Sequence, residues 1–415
     1  MRIKLQLILM NFLQFFVWGS WLITIGVYCS KSKGWTFEQF GAVFSTIGIS
    51  SLFMPAIAGM IADKWLNAEK LYGILHLLGG ITLFVIPQVN SPVAMFWVLL
   101  INMMFYMPTI ALSITIAYSS LKNKGANLTK EFPPIRVWGT IGFIIALWTI
   151  DILGFKASAN QFYVASLASI ILGLYSFTLP KCPPLAKKME KSFINVLGLN
   201  SFLLFKQPKM AVFFVFSMLL GAALQLTNAY GDTFLSHFEK ITEFKDLFIM
   251  KHTTIIMSIS QISETIFIIF IPFFLRKFGI KKVMLISMLA WVLRFGLLAY
   301  GDPGSGLWMI VLSCVIYGMA FDFFNVSGSL FVETQADPKI RASVQGLFMM
   351  MVNGFGAILG SLLSGRIIDK YFISKAGVTD WTGIWLTFAI YSLVVAILFA
   401  FLFKHKHDPN LEVNH

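Results

Sequence analysis

Tyr317-Gly318-Met319-Ala320-Phe321-Asp322-Phe323-Phe324-Asn325 lies within an apolar run near 306–330. Roughly 20 apolar residues in a helix cross the hydrocarbon of a bilayer, so this run is long enough to span it. Asp322 is out of place there, because a charge at the bilayer centre costs roughly 2.5–3.5 kcal/mol on insertion scales. Three other apolar runs carry a similar misfit, at Arg136, Glu264 and Arg294. Intramembrane charges face a protein interior or a wet cavity and commonly mark substrate or proton pathways. The chain therefore reads as a membrane carrier with a polar site near the midplane.

The composition extends that reading to all 415 residues. With 57% hydrophobic and only 12% charged residues, no soluble domain of useful size remains once the apolar runs are removed. The first run, from about Gln6 to Tyr28, is longer than a signal-peptide core and is read as the first span. A net charge of +13 invites a nucleic-acid partner, but the basic residues are dispersed over short loops, so topology explains them better. Cys29, Cys182 and Cys314 lie far apart without metal-ligand spacing. No disulfide, metal or organic cofactor is expected.

Twelve spans fall near 6–28, 40–62, 71–88, 93–118, 135–154, 160–180, 210–236, 252–275, 283–300, 306–330, 342–367 and 382–403. The longest polar interruption, 181–209, contains Pro183-Pro184 and a lysine cluster, and divides six spans from six. The expected fold class is thus an all-α membrane protein. An N-terminal six-helix bundle occupies 1–180, a cytoplasmic linker 181–209, a C-terminal bundle 210–404 and a cytoplasmic tail 405–415. Lys and Arg at the two termini and in the even-numbered loops outnumber those in the odd-numbered loops by more than two to one. The positive-inside rule then places both termini and the linker in the cytoplasm. Six plus six spans around a basic linker predicts two pseudo-symmetric halves that rock around a central site.

Several short patterns carry chemistry. In Pro133-Pro134-Ile135-Arg136-Val137-Trp138-Gly139-Thr140-Ile141-Gly142-Phe143 the prolines suit a first helical turn. Arg136, Thr140 and Phe143 share one helical face within roughly 60°. Alternatively, Arg136 snorkels to the interface. Gln225-Leu226-Thr227-Asn228 and Gln261-Ile262-Ser263-Glu264 are i, i+3 polar pairs, each on one side of its helix. One such pair would be ordinary interhelical glue, whereas two on neighbouring spans, one with an acid, favour a cavity. Tyr317 and Phe321 project together with Asn325, while Asp322 is rotated by about 100° toward the packed interior. Arg294 is the expected ion partner of Asp322, and Asp322 itself serves either structure or function.

Other features have bland readings. His76 and His252 are taken as hydrogen-bonded spectators, Trp21 as a packing residue and Cys314 as a small buried one. Gly59-Met60-Ile61-Ala62-Asp63-Lys64-Trp65 resembles the cytoplasmic signature of the major facilitator superfamily, its glycine permitting close helix approach. It is faintly echoed by Gly365-Arg366-Ile367-Ile368-Asp369-Lys370-Tyr371.

The same stretches resemble the bacterial nucleoside:proton symporter family of the major facilitator superfamily over nearly the whole chain. The matching segments are Phe15-Phe16-Val17-Trp18-Gly19-Ser20-Trp21-Leu22, Phe132 to Phe143, Gln225 to Asn228, Ser258 to Thr265, Arg294 to Pro303 and Ala320 to Asn325. The resemblance implies a multi-pass importer of the bacterial inner membrane, not an enzyme, that functions as a monomer and uses the proton as coupling ion. It implies purine and pyrimidine nucleosides as substrates. It also implies that Arg136, Thr140, Phe143, Gln225, Asn228, Gln261, Glu264, Tyr317 and Phe321 contact the nucleoside, with Asp322 needed for coupling.

The residue chemistry agrees with that expectation. Gln and Asn amides offer paired donors and acceptors to a base edge, and Phe and Tyr rings stack on its face. A carboxylate or guanidinium binds ribose hydroxyls through charge-assisted hydrogen bonds. Glu264 or Asp322 could exchange the proton. The competing readings are a permease for another neutral polar solute, such as an oligosaccharide, and a membrane-embedded enzyme or receptor. The latter is disfavoured because the sequence has no catalytic cluster, metal constellation or sensory domain.

Overall fold

The computed structural model describes residues 2–184, 199–336 and 340–406. Most of the expected linker and tail therefore lies outside the described residues. The regular structure among the described residues is helical, apart from one isolated bridge between Ile373 and Thr379. Helices are what lipid demands, since hydrocarbon offers no partner to an unpaired backbone N–H or C=O. Nine helices among the described residues are long and apolar enough to cross a membrane.

The chain divides into two compact units, 1–35 with 42–197 and 36–41 with 198–415. In the first, α1 (Arg2–Gly19) packs on α6 (Leu128–Ile152) and α7 (Asn160–Ser176). There too α3 (Thr46–Lys64) and α4 (Ala68–Val85) pack on α5 (Pro92–Lys122). The short α2 (Phe37–Phe44) precedes α3. The core contains Leu7, Met10, Tyr72, Ile116 and Leu172, all buried. A buried polar cluster ties these helices together. The Gln14 Oε1 accepts from the Tyr72 hydroxyl at 2.6 Å and lies 2.8 Å from His76 Nε2. Its Nε2 donates to the Thr109 hydroxyl at 2.8 Å. His76 is thus hydrogen-bonded, as its sequence context implied, and Trp21 is buried at 1% exposure.

The second unit contains α8 (Pro208–His237), α9 (Ile259–Tyr300), α10 (Leu307–Gln335), α11 (Arg341–Met349), α12 (Ala357–Tyr371) and α13 (Trp381–Leu402). At 42 residues α9 would extend about 60 Å, twice the hydrocarbon thickness. It breaks at Gly279, whose φ of 75° belongs to the left-handed region that favours glycine. A π-helical stretch, Met350–Gly356, joins α11 to α12. It brings backbone against backbone: a Cβ on Gly221 would meet the Val352 carbonyl, and one on Gly356 the Met218 carbonyl. Small residues at such crossings supply the packing that drives helix association in lipid.

Three local expectations are corrected. The first span is not one helix, because α1 ends at Gly19 and a turn precedes Ile25–Val27. Pro133 and Pro134 lie inside α6 rather than in its first turn, since the helix begins at Leu128. Gly59 makes no close approach, for a Cβ there would meet nothing within 4 Å.

The close approach belongs to the second copy of that pattern. Within the second unit, a Cβ on Gly365 would stand 2.2 Å from the Phe37 carbonyl oxygen. Asp369 accepts from the backbone N–H of Phe37 at 3.1 Å and of Glu38 at 2.6 Å. It thereby caps the α2 N-terminus from 332 residues away. Arg366 Nε donates to Glu38 Oε1 at 2.9 Å beside it.

Candidate functional site

In the first unit, α6 carries Arg136, Thr140 and Phe143 in helical register. Arg136 lies over the Phe15 ring, 4.2 Å from its centroid, so a cation–π contact with α1 holds the guanidinium. Gly139 makes room for it, because a Cβ there would stand 2.7 Å from both Arg136 Nη1 and the Phe15 ring. Thr140 is half-buried and Phe143 buried. A Cβ on Gly19 would meet the Phe143 carbonyl at 2.5 Å, so α1 and α6 touch backbone to backbone beside these side chains. Trp18, one residue earlier, packs on Tyr106 with centroids 4.6 Å apart. Phe15 was quoted in the sequence pattern but carried no signal of its own, because an i, i+1 aromatic pair in an apolar run reads as packing.

In the second unit, α9 and α10 bring the acid and aromatic patterns together. A Cβ on Gly318 would meet the Ser263 carbonyl at 2.6 Å and the Glu264 nitrogen at 2.7 Å. Ser263 Oγ also donates to the Val315 carbonyl. The Gln261–Glu264 turn is thereby pressed on the Tyr317–Asp322 turn. Tyr317 and Phe321 are parallel, with centroids 5.8 Å apart and planes at 5°. Asn325, expected on their side, turns its amide back to the Phe321 carbonyl at 2.9 Å.

The amides differ in surroundings. Gln225 is buried on α8 and Asn228 half-buried, one turn further along. Gln261 is half-buried, and its Oε1 has no hydrogen-bond partner among the described residues. A buried carbonyl oxygen left open is unfavourable unless something else donates to it.

Asp322 is 4% exposed, about as buried as Tyr317 at 5%. Its Oδ2 has no hydrogen-bond partner among the described residues. Glu264 lies within electrostatic reach of both Asp322 and Tyr317. The expected ion pair between Asp322 and Arg294 is not present among the described residues. Arg294, fully buried, instead donates through Nη1 to the Ser313 carbonyl and through Nε to the Thr227 hydroxyl at 3.4 Å. Its guanidinium lies over the Tyr317 ring, 4.7 Å from the centroid. Helical spacing fixes which way a side chain leaves its own helix, but the ring of a neighbouring helix can compete with a carboxylate for a cation.

Three buried acids were missed: Glu69, Asp151 and Asp232, at 2%, 3% and 0% exposure. Asp232, on α8, is fully buried and accepts from the Thr253 hydroxyl at 2.6 Å.

The comparisons with known proteins agree with one another. The family described as nucleoside H+ symporter matches residues 1–408. The nucleoside permease NupG of Escherichia coli (strain K12) is 52% identical over 408 residues, covering 98% of this chain and 97% of that protein. The xanthosine permease of the same organism is 52% identical over 410 residues, covering 99% and 98%. A crystal structure of the nucleoside transporter NupG superposes with a TM-score of 0.91 over 98% of this chain and 100% of that one. A POT family transporter, at 13% identity and a TM-score of 0.72, shares the fold alone. The polar residues buried in these apolar helices are those of a carrier, and the chain belongs to the nucleoside H+ symporter family.

Proposed function

We propose that the chain carries purine and pyrimidine nucleosides together with a proton, as a monomer, into a bacterial cell through its inner membrane. Twelve spans, arranged as bundles 1–180 and 210–404 around the 181–209 linker, would place both termini in the cytoplasm. Gly279 supports that count, since it divides the over-long α9 into two membrane lengths. Arg136, Thr140 and Phe143 contact the nucleoside from the first half. Gln225, Asn228, Gln261, Glu264, Tyr317 and Phe321 contact it from the second.

The observation that carries the reading is a Gln261 oxygen without a partner among the described residues, on the α9 turn that packs against the α10 turn bearing a parallel aromatic pair. A nucleobase supplies what both lack, an N–H donor at its edge and a π-face. Glu264, on the same turn as Gln261, would accept from ribose hydroxyls. Asp322, buried and off that face, would serve coupling rather than contact.

Uptake of radiolabelled uridine and guanosine into proteoliposomes, with and without an imposed pH gradient, tests the proposal. Both nucleosides should concentrate only with the gradient, and unlabelled nucleosides should compete where maltose does not. Uptake that ignores the gradient, or that a sugar blocks, would overturn it.

A further inference from the structure

The buried cation of α9 has a role its missing carboxylate leaves open. Arg294 is fully buried, and its Nη2 has no hydrogen-bond partner among the described residues. A guanidinium is expensive to hold in such a place, so a carrier that keeps it without an ion pair gains something other than charge balance. Its central carbon lies over the Tyr317 ring, 4.7 Å from the centroid, and its Nε and Nη1 donate to Thr227 and Ser313. The Trp291 ring meets Tyr317 at 90° from 5.9 Å, so the phenol is fixed from a second direction. Tyr317 in turn lies parallel to Phe321. Exposure rises along this series, from Arg294 at 0% through Tyr317 at 5% to the half-buried Phe321. Of the two rings, Phe321 has the larger surface to offer a ligand.

We infer that Arg294 is a positioning residue for nucleoside recognition: it locks Tyr317, and Tyr317 locks Phe321 as the platform on which the base stacks. The inference rests on the reading that Phe321 contacts the nucleoside. A planar cation suits the task better than an ammonium, because it stacks on the ring while its edges remain hydrogen-bonded. Tyr317 backs the platform with most of its ring and is left only a small edge, 5% exposed, to meet the nucleoside. The cation acts through the rings and touches no substrate.

A double-mutant cycle on the full-length carrier in proteoliposomes tests this, with uridine as the probe. Phe321→Leu should weaken uridine affinity. Arg294→Lys should raise the KM for uridine about tenfold while leaving maximal uptake near wild type, a magnitude set by loss of a desolvated cation–π contact. In the Phe321→Leu background, Arg294→Lys should have no further effect on KM. A merely structural arginine would lower folded yield and maximal uptake alike in both backgrounds. Should Arg294→Lys fail to fold, Thr227→Val removes the Nε acceptor while keeping the cation, and the same cycle is read with it. Unchanged affinity in Phe321→Leu alone overturns the site reading, and this one with it. A normal effect of Phe321→Leu, with additive losses or with no effect of Arg294→Lys, overturns only the positioning role.

Discussion

Gly318 is pressed against the carbonyl of Ser263, so that a Cβ at position 318 would stand 2.6 Å from both its carbon and its oxygen. Backbone cannot yield as a flexible side chain can, so α9 and α10 would have to separate at the turn carrying Glu264. Gly318→Ala should therefore destabilise the carrier by about 1–3 kcal/mol and abolish uridine binding. Gly296→Ala is the matched control, because a Cβ there meets nothing within 4 Å. Thermal melting of both purified variants checks this, and equal melting points would contradict the contact.

The amides of the second half are expected to read the base edge. Alanine at Gln225, Asn228 or Gln261 should cost about 1–3 kcal/mol of nucleoside affinity, the penalty of a polar group left unpaired in a confined site. Glu264→Gln should likewise damage binding, since the carboxylate shares the Gln261 turn. Calorimetry with uridine measures each, and wild-type affinity in all of these variants would remove the turn from the site.

The aromatic residues should discriminate by shape. Leucine at Phe143, Tyr317 or Phe321 loses the π-face and should weaken binding more than a Tyr–Phe exchange at the same position. Among the three, Phe321→Leu is expected to be the most severe because its ring is the least covered. If all three leucine variants transport uridine normally, the rings are only packing.

Asp369 and Arg366 separate a cap from a surface ion pair. Asp369→Ala strips two backbone N–H groups of their acceptor and should cost about 0.5–2 kcal/mol. Arg366→Ala breaks a pair whose side chains are 71% and 50% exposed, and should cost about 0–1 kcal/mol. Chemical or thermal unfolding of the two variants should rank them in that order, and the reverse order would refute the cap.

The membrane character of the fold was legible because hydrocarbon permits so few sequences to cross it. Four buried or half-buried ionisable residues were conspicuous for the same reason, and helical spacing correctly aligned Tyr317 with Phe321. What spacing could not show was anything decided between helices. Arg294 chose a ring over a carboxylate, Arg136 chose Phe15, and the close glycine contact lay at Gly365 rather than Gly59. Each depends on which backbone lies opposite, information that no single helix contains.

The central claim is that nucleoside binding and proton-driven accumulation are carried by different residues, with Asp322 on the coupling side. A ligand shifts a conformational equilibrium only through its differential affinity for the two states, so coupling can fail while binding persists. The most direct measurement is uridine accumulation under an imposed pH gradient by Asp322→Ala in proteoliposomes, paired with equilibrium binding on the same purified protein. Asp322→Ala is expected to bind uridine as wild type does and to let it equilibrate without concentrating it. An Asp322→Ala carrier that still concentrates uridine against a gradient would contradict the account and leave Glu264 to couple transport to the proton.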